Sequence, residues 1–419
     1  MIDLDKKYCV SCGTAVTTAD GFCFKCGAKI ENYKELNESS GSVRIIAERP
    51  SELADQDYVI RKRRKPKKSR KSLLLIPLIL GAIIIPVIIM GSISSIRTPI
   101  GTLTYDVPTT GITEVDLIID NNVGSVNIVY DDSITNLFES FITVRGGIKA
   151  SMDDAINFEH EVVGEKVIIS FIDDAIFMSF LNLKSLSYDI DIWINPIAVV
   201  DFNIETSTGS ISCSLDGNDN LLITEAFFSS STGSVNFISG TIENTTIGDI
   251  YIESSTGSLL FDFRYSTDAS ITDLIMDTST GSVKAYLGET MTVNCTDIDL
   301  STSTGSIVLE YTNIIQLGDL DWNIATSTGS LTFVFEQTIL PANNCSSTYD
   351  LETSTGSITV NCVIDTGIGI EMNADTSTGG IHLPSGGSYY SSPEFSLKTS
   401  QFSFTLLTST GSITASVYN

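Results

Sequence analysis

A tetrapeptide, Ser-Thr-Gly-Ser, returns again and again in the second half of this 419-residue chain, with its glycine at Gly209, Gly233, Gly257, Gly281, Gly305 and Gly329. Each of those intervals is 24 residues. The series continues at Gly356, Gly379 (followed by Gly380 in place of Ser) and Gly411, at spacings of 27, 23 and 32. Val123-Gly124-Ser125-Val126 is a degenerate first copy. A fixed period of this size marks a chain built of stacked copies of one small unit, and it restricts the fold before composition is considered.

Alignment on the glycine shows what each unit is made of. Two residues after it stand apolar side chains such as Ile211, Val235, Leu259 and Val283, and four after it stand Cys213, Phe237, Phe261 and Ala285, with mostly polar residues between. Five residues before it stand Ile204, Phe228, Ile252 and Met276, and seven before it Phe202, Ala226, Ile250 and Leu274. Alternation with period 2 on both sides of the glycine predicts strand, corner, strand, each strand with one buried face. A lone unit cannot pair its own strands; units stacked about 4.8 Å apart acquire both a hydrogen-bonded ladder and a continuous core. The fold class expected is therefore all-β, a single-stranded β-solenoid with coils of about 24 residues. A propeller is disfavoured, because its blades need about 40 residues and four strands.

The rest of the chain is different in kind. Residues 1–100 hold 17 Lys+Arg and 10 Asp+Glu, and the remainder holds 7 and 41, so the repeat region is strongly acidic. That balance argues against nucleic-acid binding by the large domain, which requires cationic side chains to displace condensed counterions. From Ser72 to Ile96 there is no charge, and Leu73–Met90 is almost continuously apolar. About 20 such residues cross a bilayer core, and the prolines and glycine within the run are tolerated there. Seventy mostly polar residues precede it, which does not fit a cleaved signal peptide. Nine of the eleven residues Arg61–Lys71 are basic, and beyond the apolar run only Arg97 is basic for nearly fifty residues. This asymmetry predicts a single-pass protein of the cell membrane, with its N-terminus cytoplasmic and its C-terminal domain extracellular.

At the N-terminus, Cys9-Val-Ser-Cys12-Gly and Cys23-Phe-Lys-Cys26-Gly form two C-x-x-C-G knuckles. Two such pairs predict a tetrahedral structural zinc site with Cys9, Cys12, Cys23 and Cys26 as thiolate ligands and no open position for catalysis. So short a segment has no useful core of its own, so Zn2+ would supply its folding energy. It resembles the zinc-ribbon module found at the N-terminus of many prokaryotic membrane proteins. The expected organisation is a zinc ribbon over 1–30, a flexible polar linker ending in the polybasic stretch over 31–71, and a transmembrane helix over 72–96. An N-terminal β region and cap follow over 97–200, and the regular solenoid over 201–419.

Candidate functional features in the outer region are few. The corner hydroxyls form rows that could meet ice, sugar or a cation, but their first role is expected to be structural: glycine in the left-handed conformation, Ser and Thr satisfying the corner backbone. A partial acidic column four residues before the glycine (Glu205, Glu253, Asp277, Glu352, Asp375) reads as a solvated face, and the loop Asp216–Asn220 lacks the bidentate Glu of a calcium loop. Asn244, Asn294 and Asn344 lie in glycosylation sequons. Cys345 and Cys362 share a repeat and could bridge, whereas Cys213 occupies an inward position and reads as a buried free thiol. His160 and His382 are the only histidines, and no nucleophile elbow is present, so no catalytic residues are assigned and no enzyme is expected.

Aligned in this way, residues 100–419 resemble the prokaryotic family of adhesin-like β-solenoids, whose members share G-S-[IV]-x-[IVLF] strands. Gly124-Ser125-Val126-Asn127-Ile128 and the run Tyr188–Pro196 carry the likeness outside the regular repeats. The resemblance implies a membrane-anchored adhesin-like or envelope-structure protein that binds glycan or protein through the solenoid. The alternative is an envelope-stress sensor whose zinc ribbon contacts a cytoplasmic partner. The chain's stop eight residues after Gly411 predicts an uncovered stack end that docks a partner, unless residues 385–403 fold over it.

Overall fold

Alternating side chains on a 24-residue period do form strands, and the computed structural model describes them over residues 98–147, 150–173, 186–288, 291–293, 297–341 and 345–418, together with 7–8 and 15–16. The chain divides into two compact units, Met1–Ser69 and Arg70–Asn419. In the first, Lys7–Tyr8 pairs antiparallel with Ala15–Val16, the two strands flanking the first cysteine pair in sequence. Cys9, Cys12, Cys23 and Cys26, the polybasic stretch and the expected spanning segment 72–96 lie outside the described residues. Among the described residues no helix is long and apolar enough to cross a membrane.

The second unit is nearly all β and consists of two large sheets, neither closed on itself. Each coil gives one long strand to the first sheet, such as Leu222–Thr232, and one short strand to the second, such as Val235–Ile238. Successive coils pair parallel and in register: Phe228 with Ile252, Ile252 with Met276, Phe237 with Phe261. The apolar columns of both sheets face each other and are buried, so the core runs unbroken from Val115 to Leu406. Large rings fill it, Trp322, Tyr349 and Phe404 stacking through successive coils, with Tyr349 and Phe404 at 4.7 Å. Eleven parallel strands in the long-strand sheet give a stack about 50 Å long at the usual spacing.

The order of the coils departs from the order of the chain at both ends. Ser400–Thr410 and Ile413–Tyr418 insert between the coil of Ser346–Ile364 and that of Ile368–His382, so the outermost coil is not the last one made. Tyr389–Ser391 then pairs antiparallel along the edge of Ile368–Thr378. The exception allowed for the uncovered end is thus what is seen: within 385–403 Tyr389–Ser391 pairs along the edge, and the last coil of the chain lies inside the stack. At the other end, Glu114–Val123 sits between Val199–Thr208 and Lys166–Ile172, and the latter is edged by the antiparallel strand Glu159–Val163. The short-strand sheet ends there in two antiparallel strands, Phe138–Gly146 and then Thr98–Val107. Tyr105 packs on Phe138 and Phe158 and hydrogen-bonds His160, joining the edges of the two sheets across that end.

Candidate binding face

The corner is a structural device first. At Gly305 φ is +153°, and a Cβ there would lie 1.7 Å from the carbonyl oxygen of Gly281, the corresponding glycine one coil away. The expected positive φ at the corner glycine is thus present, and backbone-on-backbone contact with the neighbouring coil adds a second reason that excludes any other residue. Three residues before the glycine the hydroxyl turns inward and, from Ser230 onward, donates to the glycine carbonyl of the neighbouring coil, while Thr206 donates to Gly209 of its own. Thr278 reaches Gly257 at 3.1 Å, Thr302 reaches Gly281 at 3.0 Å and Thr326 reaches Gly305 at 3.1 Å. Asn121 holds the same place in the first coil, donating to the carbonyls of Gly124 and Tyr188. The serine after each glycine accepts the next coil's N–H, as Ser210 does from Ser234. The remaining two hydroxyls of each corner, such as Ser303 and Thr304, are exposed.

Other candidates from the sequence are absorbed in the same way. Asp216 accepts from the Thr241 N–H and Asp219 from the Glu243 N–H, while buried Asn218 donates to the Tyr130 carbonyl, so the loop ties coils together. Among the described residues no three His, Cys, Asp or Glu side chains are grouped to hold a metal ion. Cys213 is a buried free thiol, and Cys345 and Cys362 are also free and buried, not bridged. Burial pushes the thiols of all three up from their ordinary values. His160 lies on the edge strand at one end of the stack and His382 on the end strand at the other. Asn244 sits exposed in a turn at φ +51°, and Asn294 and Asn344 fall outside the described residues.

What the sequence reading missed is the outer face of the long-strand sheet. The residues four before the glycine, Glu205, Glu253, Asp277, Glu352 and Asp375, are exposed there as expected of a solvated position. A second and more complete acidic column stands eight before the glycine: Asp116, Asp201, Glu225, Asp249, Asp273, Asp297 and Asp321. Asp116 pairs in register with Asp201, Asp201 with Glu225, Glu225 with Asp249, Asp249 with Asp273 and Asp297 with Asp321. Alignment on the glycine would have shown it, had the outward positions been read as far from the corner as the inward ones.

The electrostatics of this column are those of crowded like charges. Burial first, and the adjacent Asp116 carboxyl second, raise the Asp201 carboxyl above its ordinary value of 3.8. Lys166 offsets part of this, its Nζ lying 2.6 Å from Asp116 and 3.4 Å from Asp201. Between the two acidic columns runs a third outward column, six before the glycine, in which Phe227, Tyr251 and Ile275 follow one another in register, each half-buried. Burial, and then Asp249, Asp273 and Glu225, push the Tyr251 hydroxyl up, which places that hydroxyl among the carboxylates. Shallow depressions open at both ends of this stripe. One, of about 360 Å3, is lined by Asp116, Asp201, Glu225 and Phe227; the other, of about 510 Å3, by Ile275, Asp299, Asp321 and Asp350.

No protein-family model matches the sequence, and no curated protein matches it. Among solved structures the chain is similar to a candidate cell adhesion protein of Clostridium sporogenes, at 12% identity and a TM-score of 0.20, over 76% of this chain and 100% of that one. It is also similar to a candidate adhesin of Bacteroides fragilis, at 13% identity and a TM-score of 0.31, over 75% of this chain and 97% of the other. A candidate lipid-binding protein of Parabacteroides distasonis matches at 13% identity and a TM-score of 0.31, over 75% and 96%.

Proposed function

We propose that the protein is a membrane-anchored, adhesin-like component of the cell envelope, in which a β-solenoid outside the cell binds a glycan or protein partner. The observation that carries this reading is the in-register stacking of coils, which turns each outward position of the repeat into a straight row of like side chains along the stack. Such rows suit an extended partner, and they contain no convergent set of acid, base and nucleophile. The uncharged run 72–96 ends two residues before the edge strand Thr98–Val107, so on this reading the stack is held against the membrane by its N-terminal end. Zn2+, held by Cys9, Cys12, Cys23 and Cys26, would fix the fold of the cytoplasmic ribbon. The antiparallel pairing of Lys7–Tyr8 with Ala15–Val16 around the first knuckle is compatible with that site.

The test is binding of the purified protein to intact cells and isolated envelopes, with and without calcium. Saturable binding is the expected result, and its absence would overturn the reading. The ribbon motif favours a second reading, a sensor that reports envelope state to a cytoplasmic partner. A transcriptional or interaction defect from Cys9→Ser, with envelope binding intact, would select it.

A further inference from the structure

Three consecutive coils of the long-strand sheet present Phe227, Tyr251 and Ile275 outward, where a stack built only for solubility has no use for them. The strands that bear these side chains contact only their sheet neighbours and the facing strands of the core, so nothing in the described chain lies over this face. The acidity around the stripe is one-sided. On this face Lys166 stands at the far end, beside Asp116 and Asp201. Arg145 and Lys284 stand on the other sheet, Arg264 follows its strand Leu259–Phe263, and Lys398 lies at the opposite end of the stack, just before Ser400–Thr410, with its Nζ on the Thr366 carbonyl.

That other sheet shows what such a surface takes up. There Asp262 and Tyr286 are register neighbours on adjacent coils. Arg264 lies over the Tyr286 ring at 4.2 Å, with its Nη2 2.6 Å from Asp262. A guanidinium is suited to this double contact, since it stacks flat on a ring while its fork donates to a carboxylate. On the long-strand sheet Tyr251 pairs with Phe227 and Ile275, while Asp249 stands two residues away on its own strand and Glu225 diagonally across, with no arginine among the described residues of this face. Like charges directly opposite each other on neighbouring strands destabilise a sheet, and the ring and carboxylates together would be neutralised and covered by a cationic, partly planar ligand.

We propose that the outer face of the long-strand sheet, centred on Phe227, Tyr251 and Ile275, is a docking surface for an arginine-rich extended segment of a partner protein. The rings stack guanidinium groups, and the flanking carboxylates bind them and set the charge of the partner. A bare divalent cation fits less well, because it needs six or more oxygens around one point, whereas a column supplies its carboxylates one to a coil. The inference rests on the reading of the stack as a binding surface and names the partner's chemistry.

The experiment uses the full chain in zwitterionic nanodiscs and two labelled dodecapeptides, one alternating Arg with Gly and the other Lys with Gly, read by fluorescence anisotropy. The expected result is at least tenfold tighter binding of the arginine peptide. Glu225→Gln with Asp249→Asn should weaken it tenfold or more, and Phe227→Ser with Tyr251→Ser should abolish the preference over lysine. Glu310→Gln, on the other sheet, should leave both unchanged. Glu225 and Asp249 are register neighbours of like charge, so removing both charges should not lower the melting temperature, which separates lost binding from lost fold. Equal binding of the two peptides, or equal loss from Glu310→Gln, would overturn the proposal. Envelope binding that survives both pairs of substitutions would overturn it and leave the proposed function standing. Peptide binding through this face without envelope binding would do the reverse.

Discussion

At the scale of single residues, each corner position has one partner and a definite cost of change. Gly305→Ala places a methyl group against the Gly281 carbonyl at a φ that alone costs roughly 1–3 kcal/mol, so thermal unfolding should show at least that loss. Gly217→Ala, at φ +77° with open space around it, should cost less, which isolates the contact as the cause. Thr302→Val keeps the shape but strands the Gly281 carbonyl, at about 1–3 kcal/mol, whereas Thr304→Val at the exposed neighbouring position should stay within about 0.5 kcal/mol. Asp201 gives the pH test. Its folded carboxyl holds its proton to higher pH than the unfolded one, so its ionisation opposes folding, and stability falls as pH rises from 3.8 through the raised value. Asp201→Asn should therefore raise the melting temperature at pH 7, with the gain vanishing below pH 3.8. The inward hydroxyls and the glycine column could be read from the sequence because they sit beside an unmistakable tetrapeptide. The close approach of the neighbouring coil's carbonyl to each glycine could not, since positive φ alone already demands glycine there.

At the scale of the coil, periodicity carries most of the information. Inward columns such as Phe202–Ala226–Ile250 follow from the spacing alone, because a parallel ladder in register can only stack like positions. The acidic column from Asp116 to Asp321 was equally available but carried no hydrophobic signal to draw attention to it. Spatial order was not available at all: a period says that coils stack, not that the coil of Ser400–Tyr418 enters between two earlier ones. Removing residues 258–281 should bring Gly257 directly onto Ser282 and delete one coil in register. The shortened protein should remain cooperative and lose about 4.8 Å of length by small-angle scattering. Deleting only half that stretch should cost far more stability than deleting all of it, because the shortened coil's inward columns would be displaced from its neighbours while later coils keep their register.

At the scale of the whole molecule, what was legible was a long β stack; what was not was how its ends are finished. Here the ends are made by intercalation and by antiparallel strands such as Tyr389–Ser391 and Glu159–Val163, which leave little regular edge for a second stack to extend. Removing residues 400–418 should take away the partner of both Ser346–Thr355 and Ile368–Thr378, and limited proteolysis should then cut first within 365–399. In the middle, by contrast, coils from Val199 to Ile364 follow each other in chain order and each touches only its two neighbours. That division sets the way such a gene can change. Units of 24 codons can be gained or lost between fixed fittings without redesigning anything else. The length of the stack then becomes a quantity that drift or selection adjusts in equal steps of one coil, about 4.8 Å each.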